Sequence, residues 1–358
     1  MEQKFSAVAR FFLMLAAFVI VVAGMRVSAS LLVPFFLAVF IAVLCSPPLN
    51  WLRSRKVPNW LAIALVVLMI VLVGMGLGTI FGGSLRNFVA DLPNYASRLQ
   101  VMVEELVVWL QARGIQVDSE QWQSWLSSGA MLSYARILAG SIGGIAANAF
   151  LIILTVVFIL AEEATMQQKL DRALADSDKQ VLAIFRVTHS INQYMAIKLF
   201  VSLITGVLAW LVCLMAGLEY AVLWGSLAFM LNFVPTLGSL IAAVPPVLLA
   251  LVDVSPITAL MVAVGYLLIN TLMGNILEPR IMGRGLGLSP LVVLMSLVFW
   301  GWVLGPIGML LSVPLTMMVK IALEAFPETR WVGVLLGNLA SLPDTVDEAS
   351  EKTSLPNS

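Results

Sequence analysis

The sequence has little charge, few cysteines and a single histidine, and each scarcity excludes a class of protein. Only 11% of its 358 residues are charged, whereas soluble domains carry about 25%. The formal net charge is zero, which gives no reason to expect nucleic acid as a partner. Cys45, Cys213 and one histidine are too few for the usual zinc hydrolase patterns, and no G-x-x-x-x-G-K-[ST] phosphate loop occurs. We therefore expect no metal, no cofactor, no use of ATP and no enzymatic activity.

Apolar residues are abundant instead, and they occur in long runs. Hydrophobic residues make up 61% of the chain, more than a water-soluble core could hide, so the lipid bilayer must be the solvent. A transmembrane helix needs about 20 apolar residues. About six runs predict full spans: 11–25, 31–45, 60–81, 137–161, 199–218 and 257–277. The second of these should end where Pro47 and Pro48 stop the helix.

The remaining segments differ from these spans in composition. Residues 84–136 mix charges and tryptophans with leucines spaced three or four apart, which predicts an amphipathic helical insert outside the membrane. The predicted organisation is a three-span region, this insert, a fourth span with a cytoplasmic amphipathic helix, a transport core, and a polar, disordered tail: 1–83, 84–136, 137–198, 199–326 and 327–358.

Two apolar runs are interrupted by proline and glycine. The run 220–252 is broken at residues 235–238, and the run 290–319 at residues 305–308. If the first run crossed the bilayer once, Arg280 and Arg284 would lie outside, against the preference of basic residues for the cytoplasm. The sequence therefore predicts two broken, re-entrant helical hairpins of opposite orientation in an all-α integral membrane protein with both termini cytoplasmic. The alternative is a pair of proline-kinked packing helices.

Broken backbone at membrane depth supplies donors and acceptors for a polar solute, so the breaks are the candidate site. The predicted substrate pathway contains the polar and helix-breaking residues of both breaks and two asparagines of the span between them: Asn232, Pro235, Thr236, Gly238, Asn270, Asn275, Gly305, Pro306 and Gly308. Glu278 and Arg280 form either a structural ion pair or an ion-coupling pair.

Three motifs resemble a known family, the autoinducer-2 exporter (AI-2E) family. They are Gly274-Asn-Ile-Leu-Glu-Pro-Arg-Ile-Met-Gly283, the segment from Phe299 to Pro314, and Asn232-Phe-Val-Pro-Thr-Leu-Gly238, where Phe233 replaces the family's tyrosine. The resemblance implies a multi-pass protein of the bacterial inner membrane that exports a small polar signal. It also implies a homo-oligomer, a pentamer being one form it allows.

The sequence is also compatible with two other functions. Some members of the family are sodium or lithium/proton antiporters, but the broken runs contain no carboxylate, because Glu219 and Asp253 lie at the edges of the first. That favours a neutral solute. A non-transporting membrane scaffold, whose insert binds a partner, is the other alternative.

Overall fold

A computed structural model describes most of the chain: residues 7–114, 147–173, 178–235, 237–282, 288–324 and 329–337. Thr236, Arg284, residues 115–136 of the predicted insert, the start of the predicted fourth span and the tail beyond residue 337 lie outside the described residues. Every regular element within them is helical. The prediction of an all-α membrane protein is thereby confirmed.

Twelve α-helices are described, and we number them in chain order. They are α1 (Ala7–Val27), α2 (Ala29–Ser54), α3 (Asn59–Gln111), α4 (Ala149–Ala173), α5 (Asp178–Met215), α6 (Ala221–Leu231), α7 (Leu237–Leu249), α8 (Pro256–Asn270), α9 (Glu278–Met282), α10 (Pro290–Leu304), α11 (Pro306–Glu324) and α12 (Arg330–Leu336). Two π-helical segments follow α7 and α8: Ala250–Val254 and Thr271–Leu277.

The helices continue through several places where the sequence predicted an end. Helix α2 runs past Pro47 and Pro48 to Ser54, so the expectation that these prolines stop the second span is wrong. Each proline removes one backbone donor, but its fixed φ of about −65° is compatible with a helix, so α2 continues past the lost hydrogen bonds. Helix α3 likewise carries the third span into the predicted insert as one helix of 53 residues, with Pro93 inside it.

Five of the described helices are long and apolar enough to cross a membrane: Ala29–Ser54, Asn59–Gln111, Asn192–Met215, Pro256–Ile281 and Pro306–Glu324. The first four correspond to predicted full spans. The predicted first span is among the shorter apolar helices, as Phe12–Val27. The fifth is α11, the second arm of the second hairpin, which at 19 residues is longer than a re-entrant arm needs to be.

The chain forms two compact units. The terminal unit contains the described residues of Met1–Phe40, Glu163–Met195 and Pro279–Ser358, and the central unit those of Ile41–Glu162 and Ala196–Glu278. Each unit contains one of the two broken runs.

The core of the central unit surrounds the first broken run, which folds into the hairpin α6–α7. Trp224 of α6, Ala242 of α7, Ala209 of α5 and Val262 of α8 belong to one buried cluster. The arms meet closely at the break, where a Cβ on Gly238 would overlap the carbonyl oxygen of Leu231. Only glycine fits at the start of α7 without moving the backbone.

The second broken run is also a hairpin, α10–α11, in the core of the terminal unit. Trp300 and Leu311, one from each arm, are buried in the same cluster as Val22 of α1. Gly305 makes the turn with φ +73°, which L side chains rarely adopt. A Cβ on Gly308 would overlap the carbonyl oxygen of Trp300, so this hairpin too needs glycine where its second arm begins.

Candidate functional site

Both ends of the first hairpin are fixed to α3. Tyr220, just before α6, donates a hydrogen bond to the Asp91 carboxylate. One turn further along α3, Tyr95 donates to Glu219 over 2.6 Å. Beyond the end of α7, Asp253 forms an ion pair with Arg98, with 2.8 Å between Nη1 and Oδ1. We call these three contacts the α3 clamp.

The α3 clamp shows that the run 220–252 turns back on itself. Asp91 and Arg98 are seven residues apart, a rise of about 10 Å along a helix. The two ends of the run therefore lie beside one short stretch of α3. The first arm has 11 residues and spans about 17 Å, and the second arm, with the π-helical segment that continues it to Val254, has 18 residues and spans about 27 Å; both are shorter than a hydrocarbon core of about 30 Å.

Tyr220 is the distinctive residue of this clamp. It is in the left-handed conformation with φ +57°, which costs about 1 kcal/mol or more for a residue with a side chain. Burial, and then the hydrogen bond to Asp91, raise the pKa of Tyr220 to about 12, so its hydroxyl remains a donor well above neutral pH. Phe88 of α3 packs edge-on against the rings of Tyr220 and Trp224. The strained turn into α6 is therefore held by packing and by a hydrogen bond.

The break of the first hairpin brings a polar side chain into the core. Asn232 is only 8% exposed, and its amide nitrogen donates to the Ser202 hydroxyl of α5 over 2.9 Å. Pro235 is half-buried in the same turn, and Gly238 closes it. Asn232, Pro235 and Gly238 thus lie in the same turn, and Thr236 is outside the described residues.

Glu278 has a partner that the sequence reasoning did not name. Its Oε1 accepts from Nζ of Lys198 at 2.7 Å, and the Lys198 side chain is only 5% exposed. Lys198 lies at the start of the apolar part of α5, eighty residues away in sequence. Arg280, the partner suggested by proximity in sequence, is exposed on α9.

The two predicted asparagines lie along the helix that leads to Glu278. Asn270 ends α8 and is half-buried, whereas Asn275, within the π-helical segment Thr271–Leu277, is exposed. No hairpin residue is shown as a partner of Asn275 within the described part of the chain. Single π-helical turns are frequent at functional sites, which keeps this segment a candidate.

The terminal unit holds the remaining predicted residues at the turn of the second hairpin. Gly305 and Pro306 form the turn itself, and Gly308 is the contact point between the arms. Beside them the indole nitrogen of Trp300 donates to the Thr316 hydroxyl over 2.9 Å. The short helix α12 joins both ends of this hairpin: the Ser289 amide donates to the Leu336 carbonyl, and Gly333 packs against Lys320.

The sequence did not lead us to predict a functional role for three polar residues that are buried on α5: Lys198, Ser202 and Thr205. Their spacing of four and three residues was a usable signal, because it places them on one face of a helix. A threonine and a serine in an apolar run are common in membrane helices, however, so the pattern alone did not distinguish them from residues that bond to their own backbone.

Comparison with known proteins identifies the family. The sequence profile described as "AI-2E family transporter" matches residues 15–328, most of the chain. The chain belongs to the AI-2E transporter family. Both broken hairpins and the segment between them, which together carry the three recognised motifs, lie within the matched residues of this AI-2E member.

Several members of the family are similar to the chain over almost their whole length. The "AI-2 transport protein TqsA" of Escherichia coli K12 is 41% identical over 327 residues, which cover 91% of this chain and 95% of that protein. A "Putative transport protein" of Haemophilus influenzae is 39% identical over 331 residues, with the same coverage. These similarities make the chain a multi-pass membrane transporter by family.

Proposed function

We propose that the chain is a secondary transporter that exports autoinducer-2, or a similar small polar solute, across the bacterial inner membrane. The structural observation that supports this is the first hairpin: an apolar run folded back on α3, with Asn232 buried at its break. A buried amide in an apolar surrounding needs hydrogen-bond partners, and the bond to Ser202 uses only one of the donors of Asn232, so the side chain has further polar capacity for a solute. The similarity to TqsA, named as an AI-2 transport protein, supports the substrate.

The energy source and assembly are parts of the same proposal. The sequence has no phosphate-binding loop, so transport would be driven by the solute gradient or by protons. We further propose that both termini are cytoplasmic and that the chain works as a homo-oligomer, with a pentamer as the form to test first. Mass photometry or native mass spectrometry of the detergent-solubilised protein measures that number directly.

An efflux experiment tests the substrate. Autoinducer-2 is assayed inside and outside bacteria that lack the protein, and in the same strain expressing the chain or its Asn232→Ala form. We expect the deletion to trap the signal inside and the intact chain to release it. Asn232→Ala removes the amide that donates to Ser202, and we expect about a tenfold loss of efflux at unchanged membrane levels. Loss of insertion together with efflux would make Asn232 structural.

An unchanged partition of autoinducer-2 would reject this substrate. Sodium- or lithium-dependent proton flux in everted vesicles would then identify an antiporter. A chain that moves neither solute would favour the scaffold over these two transport functions.

A further inference from the structure

Helix α5 presents a buried polar face in the central unit. Lys198, Ser202 and Thr205 follow one another at spacings of four and three residues, which places them on one side of the helix. Their exposed fractions are 4%, 0% and 3%. They lie in Asn192–Met215, a helix long and apolar enough to span a membrane. Three consecutive polar positions on one buried face of such a helix need a reason.

This face is buried because α5 and α6 approach each other at two glycines. A Cβ on Gly206 would lie 2.7 Å from the Cβ of Phe229, and a Cβ on Gly225 would lie 2.6 Å from the Cβ of Trp210. The contact continues one turn further to the hydrogen bond between Ser202 and Asn232. Ser202, in the middle of the polar face of α5, is therefore directed at the hairpin that carries the break.

The hydroxyl of Thr205 has no hydrogen-bond partner within the described part of the chain, although its oxygen is fully buried. Threonines in helices usually donate to the carbonyl one turn earlier. Thr155 donates in this way to Leu151 and Thr271 to Leu267, each over 2.8 Å. An unpaired hydroxyl costs free energy in the resting protein, which a bound polar molecule would recover.

We propose that Thr205, Ser202 and Asn232 form a binding site for a neutral solute that carries several hydroxyl or carbonyl groups. Asn232 donates its amide to Ser202 and retains a carbonyl oxygen as an acceptor, while Thr205 offers a hydroxyl that can donate and accept. The adjacent charges of Lys198 and Glu278 neutralise each other, so the site favours no net charge on its ligand. This inference rests on the proposed function and adds Ser202 and Thr205 to it.

The substitution Thr205→Val tests the site, with Thr155→Val as the matched control. Valine has nearly the shape of threonine and leaves no unpaired hydroxyl, so purified Thr205→Val should unfold at the same temperature as wild type or higher. Efflux by Thr205→Val should nevertheless fall roughly threefold to tenfold, as expected for one lost hydrogen bond to a ligand. Thr155→Val removes only a hydroxyl bonded to its own helix and should keep wild-type efflux.

A binding measurement separates the site from the proposed export function. The rise in unfolding temperature caused by autoinducer-2, or by ribose as a neutral polyhydroxyl probe, is measured for wild type, Thr205→Val and Thr205→Ser. We expect the rise in wild type and Thr205→Ser and its loss in Thr205→Val. Wild type that exports no autoinducer-2 would reject the export function. If ribose still raises the unfolding temperature of wild type and Thr205→Ser but not of Thr205→Val, the proposed binding site is nevertheless supported. Equal efflux by Thr205→Val and Thr155→Val, or no rise in the unfolding temperature of wild type with either compound, would contradict the proposed site.

Discussion

Lys198 and Glu278 form an ion pair that is largely removed from solvent. Two charges in a low-dielectric surrounding compensate each other only while both are present. Their separation is 2.7 Å, and neither side chain is more than 17% exposed. We expect Glu278→Gln to lower the free energy of unfolding by about 3 kcal/mol, because it leaves the ammonium of Lys198 buried without its counter-charge. Thermal unfolding in detergent checks this.

A double change distinguishes a structural ion pair from an ion-coupling one. Lys198→Met with Glu278→Leu removes both charges and should recover most of the stability lost in Glu278→Gln. Transport by this double variant would assign the pair to structure, whereas a stable but inactive variant would assign it to coupling. Glu324→Gln is the matched control, because the Lys320–Glu324 contact is 3.6 Å long and Glu324 is 40% exposed. Its expected effect is below about 1 kcal/mol.

At the scale of elements, each hairpin depends on one glycine at the start of its second arm. Gly238→Ala and Gly308→Ala would both place a methyl group on a carbonyl oxygen of the opposite arm, Leu231 or Trp300. Because backbone cannot move aside as a side chain can, we expect each variant to lose about 3 kcal/mol of stability. The fraction of monodisperse protein after solubilisation, and its unfolding temperature, measure the loss.

A glycine in open space provides the comparison for these two variants. Nothing lies within 4 Å of the position that a Cβ would take on Gly74 of α3. Gly74→Ala should therefore leave stability unchanged or raise it by up to about 1 kcal/mol, since alanine favours a helix. Normal stability of Gly238→Ala would show that the arms of the first hairpin are further apart than described.

At the scale of the whole molecule, the α3 clamp makes a prediction about membrane topology. Since both ends of the first hairpin lie beside α3, cysteines placed at Met215 and Val254, both exposed, should be labelled from the same side of the membrane. A cysteine at Arg55, between α2 and α3, should be labelled from the opposite, cytoplasmic side. A membrane-impermeant maleimide applied to whole cells and to everted vesicles, in a background lacking Cys45 and Cys213, makes this measurement.

Labelling of Met215→Cys and Val254→Cys from opposite sides would mean that the run 220–252 crosses the bilayer. That result would favour proline-kinked packing helices over re-entrant hairpins as the interpretation of the breaks. It would also remove the structural support for a solute site at Asn232.

The sequence by itself determined the helical membrane fold, the family and the position of both breaks. These depend on local properties: apolar length, and the backbone geometry of proline and glycine at 235–238 and 305–308. The same local reasoning failed at Pro47 and Pro48, because a proline removes a backbone donor without excluding helical φ, and α2 continues past both.

Only the tertiary structure decided which polar groups meet. Glu278 pairs with Lys198 from eighty residues away, Asn232 with Ser202, and Asp253 with Arg98 of α3. In each case sequence proximity suggested another partner or none. The physical reason is that a polar group inside an apolar fold must pair with whatever packing brings within hydrogen-bond distance, and packing joins residues that are distant along the chain.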